Sequence, residues 1–301
     1  MIYLESFRLA SEDDETSYFL CADGHGNGRK LDMTCYSVNN PYPFKIFPFK
    51  GLSGLHFEPI TLIYGGNGSG KSTLLNVIAE KLQLKRSADF NKTPFYGAFL
   101  ERCRAETVGE LPSDSRIITS DDVFDYLLDR RAINSGVEKC REQLFEEYRV
   151  YRGASSPRFQ MGSLSDYDEL KERNEARHST RSAYVARRMP NELRGRSNGE
   201  SAFEYFTSMI KGDALYLLDE PENSLSAKLQ RELAEFIQQS ARFYGCQFVI
   251  STHSPFLLAM NGVKIYDLDA SPVQVRRWSE LENIRTYFEL FDAHRRDFYE
   301  N

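Results

Sequence analysis

The sequence has one tryptophan, five histidines and five cysteines in 301 residues, and no apolar run approaching the ~20 residues that span a bilayer. The missing run excludes a membrane-spanning helix. Cys21, Cys35, Cys103, Cys140 and Cys246 are odd in number, scattered and never spaced C-x-x-C. That pattern excludes a zinc ribbon or a disulfide framework and reads as reduced thiols. Met1-Ile2-Tyr3-Leu4-Glu5-Ser6-Phe7 lacks the basic start and long apolar centre of a secretion signal, so a cytoplasmic location is expected. There is no internal repeat, no heptad run long enough for a coiled coil and no H-N-H motif. What the sequence does have is apolar material: 41% hydrophobic residues, with 21 Phe and 17 Tyr, supply a sizeable core and exclude a mostly disordered chain. A formal net charge of -6 disfavours a protein that coats nucleic acid, while leaving room for a local basic patch.

Three zones differ in character. The first, residues 1–84, holds two strand candidates, Thr34–Val38 and Ile60–Tyr64; the second stops at Gly65-Gly66. The last, residues 201–301, alternates strands and helices. Ala214–Leu218 is apolar on both faces, as in a covered parallel strand, and Leu229, Leu233, Phe236 and Ile237 recur at helical spacing behind the capping candidates Ser224 and Ser226. Gln247–Ile250 and Val263–Tyr266 are further strands, and the alternation implies an α/β sheet. The middle zone is more polar, with helices expected over Asp122–Asp129 and Val137–Val150 and a loop from Ser155 to Gly199. Leu144, Phe145 and Tyr148 would form one face of the second helix. The expected organisation is a discontinuous α/β core, 1–84 with 200–301, and an inserted helical lobe, 85–199.

Gly65-Gly66-Asn67-Gly68-Ser69-Gly70-Lys71-Ser72 fits G-x-x-x-x-G-K-[ST], and Thr73 follows. The motif sits between a strand ending at Tyr64 and a helix whose Leu74, Leu75, Val77, Ile78 and Leu82 recur every 3.6 residues. Glycines there let backbone N–H groups converge on phosphate oxygens, and the helix N-terminus adds partial positive charge. Lys71 is expected to reach the β- and γ-phosphates and Ser72 to offer a hydroxyl to Mg²⁺. Downstream, Leu215-Tyr216-Leu217-Leu218-Asp219-Glu220-Pro221 places two carboxylates at the C-terminal end of a buried strand, where open α/β sheets bind ligands. Asp219 is the candidate Mg²⁺ ligand and Glu220 the candidate that polarises an attacking water.

Asp219-Glu220-Pro221 after four apolar residues resembles the extended Walker B motif of ABC-type ATPases, a P-loop NTPase fold class. Ser251-Thr252-His253-Ser254-Pro255 resembles the switch-histidine loop, and Ser197-Asn198-Gly199-Glu200-Ser201 the ABC signature in an S-x-G-E form. Phosphate loop, signature, Walker B and switch histidine follow one another in the family's order. Within that superfamily the likeness is to small soluble ATPases of the SMC/RecF/predicted-ATPase branch, including AAA-type ATPases of bacterial DNA repair and anti-phage defence. The resemblance implies a homodimer or higher oligomer closed head to tail around ATP. Ser197, Asn198, Gly199 and Glu200 of one subunit would then meet ATP held by the other, and His253 would sense the γ-phosphate in cis. Asn223-Ser224-Leu225-Ser226 takes the D-loop position but lacks the usual aspartate.

Two positions stay open. The family carries a glutamine between phosphate loop and signature, yet none occurs between Leu84 and Glu142. In Arg116-Ile117-Ile118-Thr119-Ser120-Asp121-Asp122, Ser120, Asp121 or Asp122 could take its place, or Asp121 or Asp122 could simply cap a helix. Tyr42, Phe44, Phe47 and Phe49 could stack on adenine or belong to the core. The stretch from Arg173 to Arg196 carries seven arginines (173, 177, 181, 187, 188, 194, 196) against Glu175 and Glu192, a local balance of +5. It could bind nucleic acid, bind an acidic partner, or be a solvated face. The expected activity is ATP hydrolysis gating a separate effector protein such as a nuclease or toxin, or acting on DNA; the alternatives are the nucleotide-binding subunit of a transporter and a slow ATP-dependent switch.

Overall fold

The computed structural model describes residues 1–20, 41–152, 171, 175–176, 178–188 and 197–298. The expected strand Thr34–Val38 lies outside them. The chain forms two compact units, Met1–Val123 with Asn198–Asn301, and Phe124–Ser197.

In chain order the strands are β1 (Leu4–Arg8), β2 (Gly54–His56), β3 (Ile60–Tyr64), β4 (Arg104–Thr107), β5 (Arg116–Ile118), β6 (Leu215–Asp219), β7 (Gln247–Ser251), β8 (Lys264–Asp267) and β9 (Gln274–Val275). The helices are α1 (Glu12–Leu20), α2 (Lys71–Lys81), α3 (Tyr96–Arg102), α4 (Ser120–Arg152), α5 (Arg181–Arg188), α6 (Asn198–Met209), α7 (Ala227–Phe243), α8 (Pro255–Leu258) and α9 (Glu282–Ala293). The nine strands found among the described residues all belong to the first unit. The larger sheet runs β5-β6-β7-β3-β8-β9 and the smaller, antiparallel one β2-β1-β4. From β5 to β8 every neighbour is parallel, with Leu62 opposite Ile250 on one side and Ile265 on the other; only β9 turns antiparallel.

The central strands are mostly apolar because both faces are covered, with Thr61, Asp219, Gln247 and Ser251 as their buried polar residues. Every residue of β3, β6 and β7 is buried. Leu74, Leu75, Val77, Ile78 and Ala79 of α2 share one core with Ile63, Ile117, Leu215, Leu217 and Val249 of the sheet. Phe44 and Phe47 belong to that core as well, at 2% and 0% exposure, which settles them as packing residues. Gln247, fully buried, ties the two sheets together. Its Oε1 accepts from the Tyr3 and Leu4 amides at 2.8 Å each, and its Nε2 donates to the Leu4 carbonyl at 2.8 Å.

The lobe boundaries differ from the expected 85–199. Residues 85–123 belong to the first unit, because β4 pairs with β1 and β5 with β6. Asn198 onward rejoins it too, so the signature-like residues Asn198–Glu200 open α6 in the sheet unit. The two helices expected in the middle zone are one, Ser120–Arg152. The Asn134-Ser135-Gly136 interval holds no proline, and a lone glycine costs a helix only about 1 kcal/mol. A further helix, α5, occupies part of the expected loop. In the second unit Leu144, Tyr148, Ala176, Tyr184 and Val185 form a small core, with Phe145 packed against it.

Candidate functional site

The site grows from strand ends. β3 stops at Tyr64 and the chain swings through Gly65–Gly70 into α2, whose N-cap, Gly70, has φ +97° and supplies no side chain to cap the helix. A Cβ at Gly70 would also stand 3.2 Å from Ile46. Only glycine meets both demands. The first-turn amides of α2, including Lys71, Ser72 and Thr73, have no intrahelical carbonyl to bond and form an anion-binding end. Asp269, in the turn after β8, braces the loop from outside: its carboxylate accepts the Gly66 amide at 2.9 and 2.7 Å.

β6 and β7 lie beside one another with Asp219 opposite Ser251, so both chain ends emerge at the same edge. That register brings the expected residues into one cluster. Lys71, 4% exposed, donates to the Gly65 and Gly66 carbonyls, lies 2.8 Å from His253 Nε2 and 3.3 Å from Glu220 Oε1. His253 Nε2 is itself 3.2 Å from Glu220 Oε1. This nitrogen can accept from the Lys71 ammonium or, when protonated, donate to Glu220, but one proton decides which. The imidazole beside it, then the Asn223 amide and the Lys71 ammonium, hold the Glu220 carboxyl down at about 2 against the opposing effect of burial. Glu220 also sits at φ +48°, a left-handed conformation that a non-glycine residue keeps only where its surroundings impose it. Here its amide is bonded to both the Ser251 carbonyl and the Ser251 hydroxyl.

Asp219 is buried, and burial raises its carboxyl pKa, partly offset by hydrogen bonds from Ser251 and Ser72. Ser72 Oγ donates to Asp219 Oδ1 at 3.1 Å. A hydroxyl and a carboxylate oxygen side by side at the mouth of an anion-binding loop are hard donors, and this pair fits a magnesium ion that keeps several of its waters.

The remaining expectations divide. Asp122, the third residue of α4, closes a capping box with Thr119: its carboxylate accepts the Thr119 amide and hydroxyl, the Thr119 hydroxyl accepts the Asp122 amide, and the other carboxylate oxygen accepts the Ala88 amide at 2.7 Å. Asp121 is exposed beside it and Ser120 is half-buried. Gly199 backs onto the turn after β6, where an added Cβ would stand 3.1 Å from the Ser224 carbonyl and from Leu229, so the signature-like turn touches the D-loop position closely. Arg187 and Arg188 both pair with Glu175, at 3.4 and 2.8 Å, and Arg188 also lies over the Tyr184 ring. Arg173, Arg177, Arg194 and Arg196 lie outside the described residues. Of the described cysteines, Cys103 is buried and its thiol is pushed up to about 12 by burial, which makes it inert. Sequence reasoning missed Asp269, whose partner is 203 residues away, and Glu222, which receives three hydrogen bonds from the switch loop. Only the short spacing of Glu222 from Asp219 could have drawn attention to it.

A parallel sheet in this order, with a phosphate loop after β3 and paired carboxylates after β6, two strands away across β7, defines a P-loop NTPase fold. Residues 187–259 match the family described as "AAA domain, putative AbiEii toxin, Type IV TA system"; that stretch contains Asp219, Glu220 and His253 but not the phosphate loop. Among solved structures, the chain is similar to an Smc head bound to the C-terminal winged-helix domain of ScpA, at 15% identity and a TM-score of 0.40 over 75% of this chain and 94% of that one. It is also similar to the ATP-binding cassette MJ0796 in a dimeric post-hydrolysis state with ADP and Pi, at 17% identity and a TM-score of 0.36 over 75% and 88%. No curated protein sequence matches. Among the described residues no helix is long and apolar enough to cross a membrane.

Proposed function

We propose that this chain binds and hydrolyses ATP as an ABC-type ATPase and that hydrolysis gates a separate effector, in anti-phage defence or DNA repair within the cytoplasm. The observation that carries the hydrolytic reading is the Lys71–Glu220–His253 cluster beside Ser72 and Asp219. The Lys71 ammonium faces Glu220 at 3.3 Å. Triphosphate oxygens entering the loop would compete for that ammonium and bring negative charge beside Glu220, which loses one of the groups holding its carboxyl down and gains affinity for a proton. That carboxylate then suits the task of taking a proton from a water attacking the γ-phosphorus, with ADP as the leaving group and phosphate released. His253, in reach of Lys71 and Glu220, is placed to register whether the γ-phosphate is present. Ser72 and Asp219 would hold Mg²⁺, which supplies neutralisation of phosphate charge.

The dimeric reading rests on the family likeness and on α6, whose first turn carries Asn198, Gly199 and Glu200 after Ser197. A helix start offers amides to a γ-phosphate held by a second copy. The effector reading rests on the toxin–antitoxin description of the matching family. Nucleic-acid contact by the arginine stretch gains nothing from Arg187 and Arg188, which already share Glu175. The test is Glu220→Gln with ATP and Mg²⁺. It is expected to lose hydrolysis by about 100-fold or more while keeping ATP, and to run as a dimer by light scattering. Unchanged turnover would remove Glu220 from the chemistry; a monomer with bound ATP would remove the head-to-tail arrangement.

A further inference from the structure

The His253 loop is held from one side by a single carboxylate oxygen. Oε1 of Glu222, two residues past Glu220, accepts from Thr252 Oγ1 at 2.8 Å, from the His253 amide at 2.5 Å and from the Ser254 amide at 3.1 Å. Three donors from three consecutive residues thus converge on one atom about thirty residues away in sequence. The other oxygen, Oε2, is buried with no hydrogen-bond partner from another residue among the described residues. A buried, half-satisfied carboxyl is costly, and a plain turn-capping role would be served by a serine or asparagine. The same loop is tied again next door. Ser254 Oγ donates to Gln230 Oε1 at 2.8 Å, while Gln230 Nε2 donates to the Leu225 carbonyl at 2.9 Å. The turn after β6, residues 220–225, and the loop after β7 are therefore joined by two side chains.

We infer that Glu222 is a positioning residue for hydrolysis, fixing the backbone of His253 so that its imidazole meets Lys71 and Glu220, and that Glu222 and Gln230 together pass displacement of the turn after β6 to the switch loop. This rests on the hydrolytic reading above. Glu222 reaches neither Lys71 nor Ser72 in the hydrogen bonds described, so it acts on the reaction through His253. A misplacement of about 1 Å in a group that must meet the reacting centre costs on the order of 100-fold in rate.

The experiment compares wild type, Glu222→Ala, Glu222→Gln and Thr252→Val by steady-state ATP hydrolysis, by affinity for a fluorescent ATP analogue, and by amide hydrogen exchange of residues 252–254 without nucleotide. Glu222→Ala is expected to lower kcat by about 10- to 100-fold with affinity within about twofold, because the phosphate loop is untouched. Glu222→Gln keeps a carbonyl oxygen for the same three donors and is expected to restore kcat to within about threefold of wild type. Thr252→Val removes one donor in three and is expected to cost kcat about threefold, and it keeps the test alive if Glu222→Ala fails to fold. Exchange at His253 and Ser254 should quicken in Glu222→Ala and return in Glu222→Gln. Full kcat in Glu222→Ala, affinity falling in step with kcat, or Glu222→Gln no better than Ala would each overturn the positioning role. Absence of hydrolysis in wild type would instead sink the hydrolytic reading, and the exchange rates would still decide what Glu222 holds.

Discussion

Two ion pairs, one from each unit, differ in burial and in distance in opposite senses. In the sheet unit Lys71 and Glu220 stand 3.3 Å apart with side chains 4% and 27% exposed. In the helical unit Arg149 and Glu146 are closer, 2.7 Å, but 65% and 68% exposed. The shorter contact is the weaker one, because water and salt screen it and two long side chains lose freedom to form it. The longer contact sits where a charge without its partner is expensive. Burial rather than distance separates polar groups that the fold and the site depend on from those that decorate a surface.

That contrast can be broken at three points. The largest effect on stability is expected at Gln247→Leu. It strands the Tyr3 and Leu4 amides in a dry interior, and urea unfolding should show a loss of about 2–4 kcal/mol. A smaller effect follows acid. Because the Glu220 carboxyl is held at about 2 in the folded chain, below the 4.5 of an ordinary glutamate, its stabilisation is present above pH 4.5 and fades as pH falls toward 2. Asp219 and Glu222 act with the opposite sign: burial raises both, so their ionised forms cost stability that acid relieves. Denaturant midpoints followed from pH 6 to pH 3 should therefore fall less steeply for Glu220→Gln than for wild type, and an identical slope would show that the contacts of Glu220 with His253, Asn223 and Lys71 are absent in solution. The smallest effect is expected at Glu146→Gln, below about 0.5 kcal/mol by the same unfolding measurement. A loss there as large as that at Gln247 would erase the distinction between buried and exposed polar groups.

What could be read from the sequence follows the same division. Lys71, Ser72, Asp219, Glu220 and His253 stand in local patterns tied to strand ends, and parallel neighbours bring such ends to one edge, so β3, β6 and β7 placed them together. Local pattern also found Ser226, which caps α7 by accepting the Leu229 amide, although Ser224 sits instead in a turn at φ +69°. Gln247, Asp269 and Glu222 were illegible because their partners are 243, 203 and about 30 residues distant, and no periodicity announces a tie of that range. Asp122 was ambiguous for a different reason. A carboxylate at a strand–helix junction suits a cation and a cap equally, and only the Thr119 and Ala88 amides decide for the cap. Phe44 and Phe47 were ambiguous because aromatic density is the same in a base-stacking wall and a core.

The most direct test of the central claim, that the buried lysine of the sheet unit marks a nucleotide site, is calorimetric titration of ATP with Mg²⁺ into wild type and Lys71→Ala. The wild type is expected to bind one ATP per chain, and the variant to bind about 100-fold more weakly or not at all, since a charge-assisted contact to phosphate is lost. Equal affinity in the two proteins, or no binding in the wild type, would contradict it.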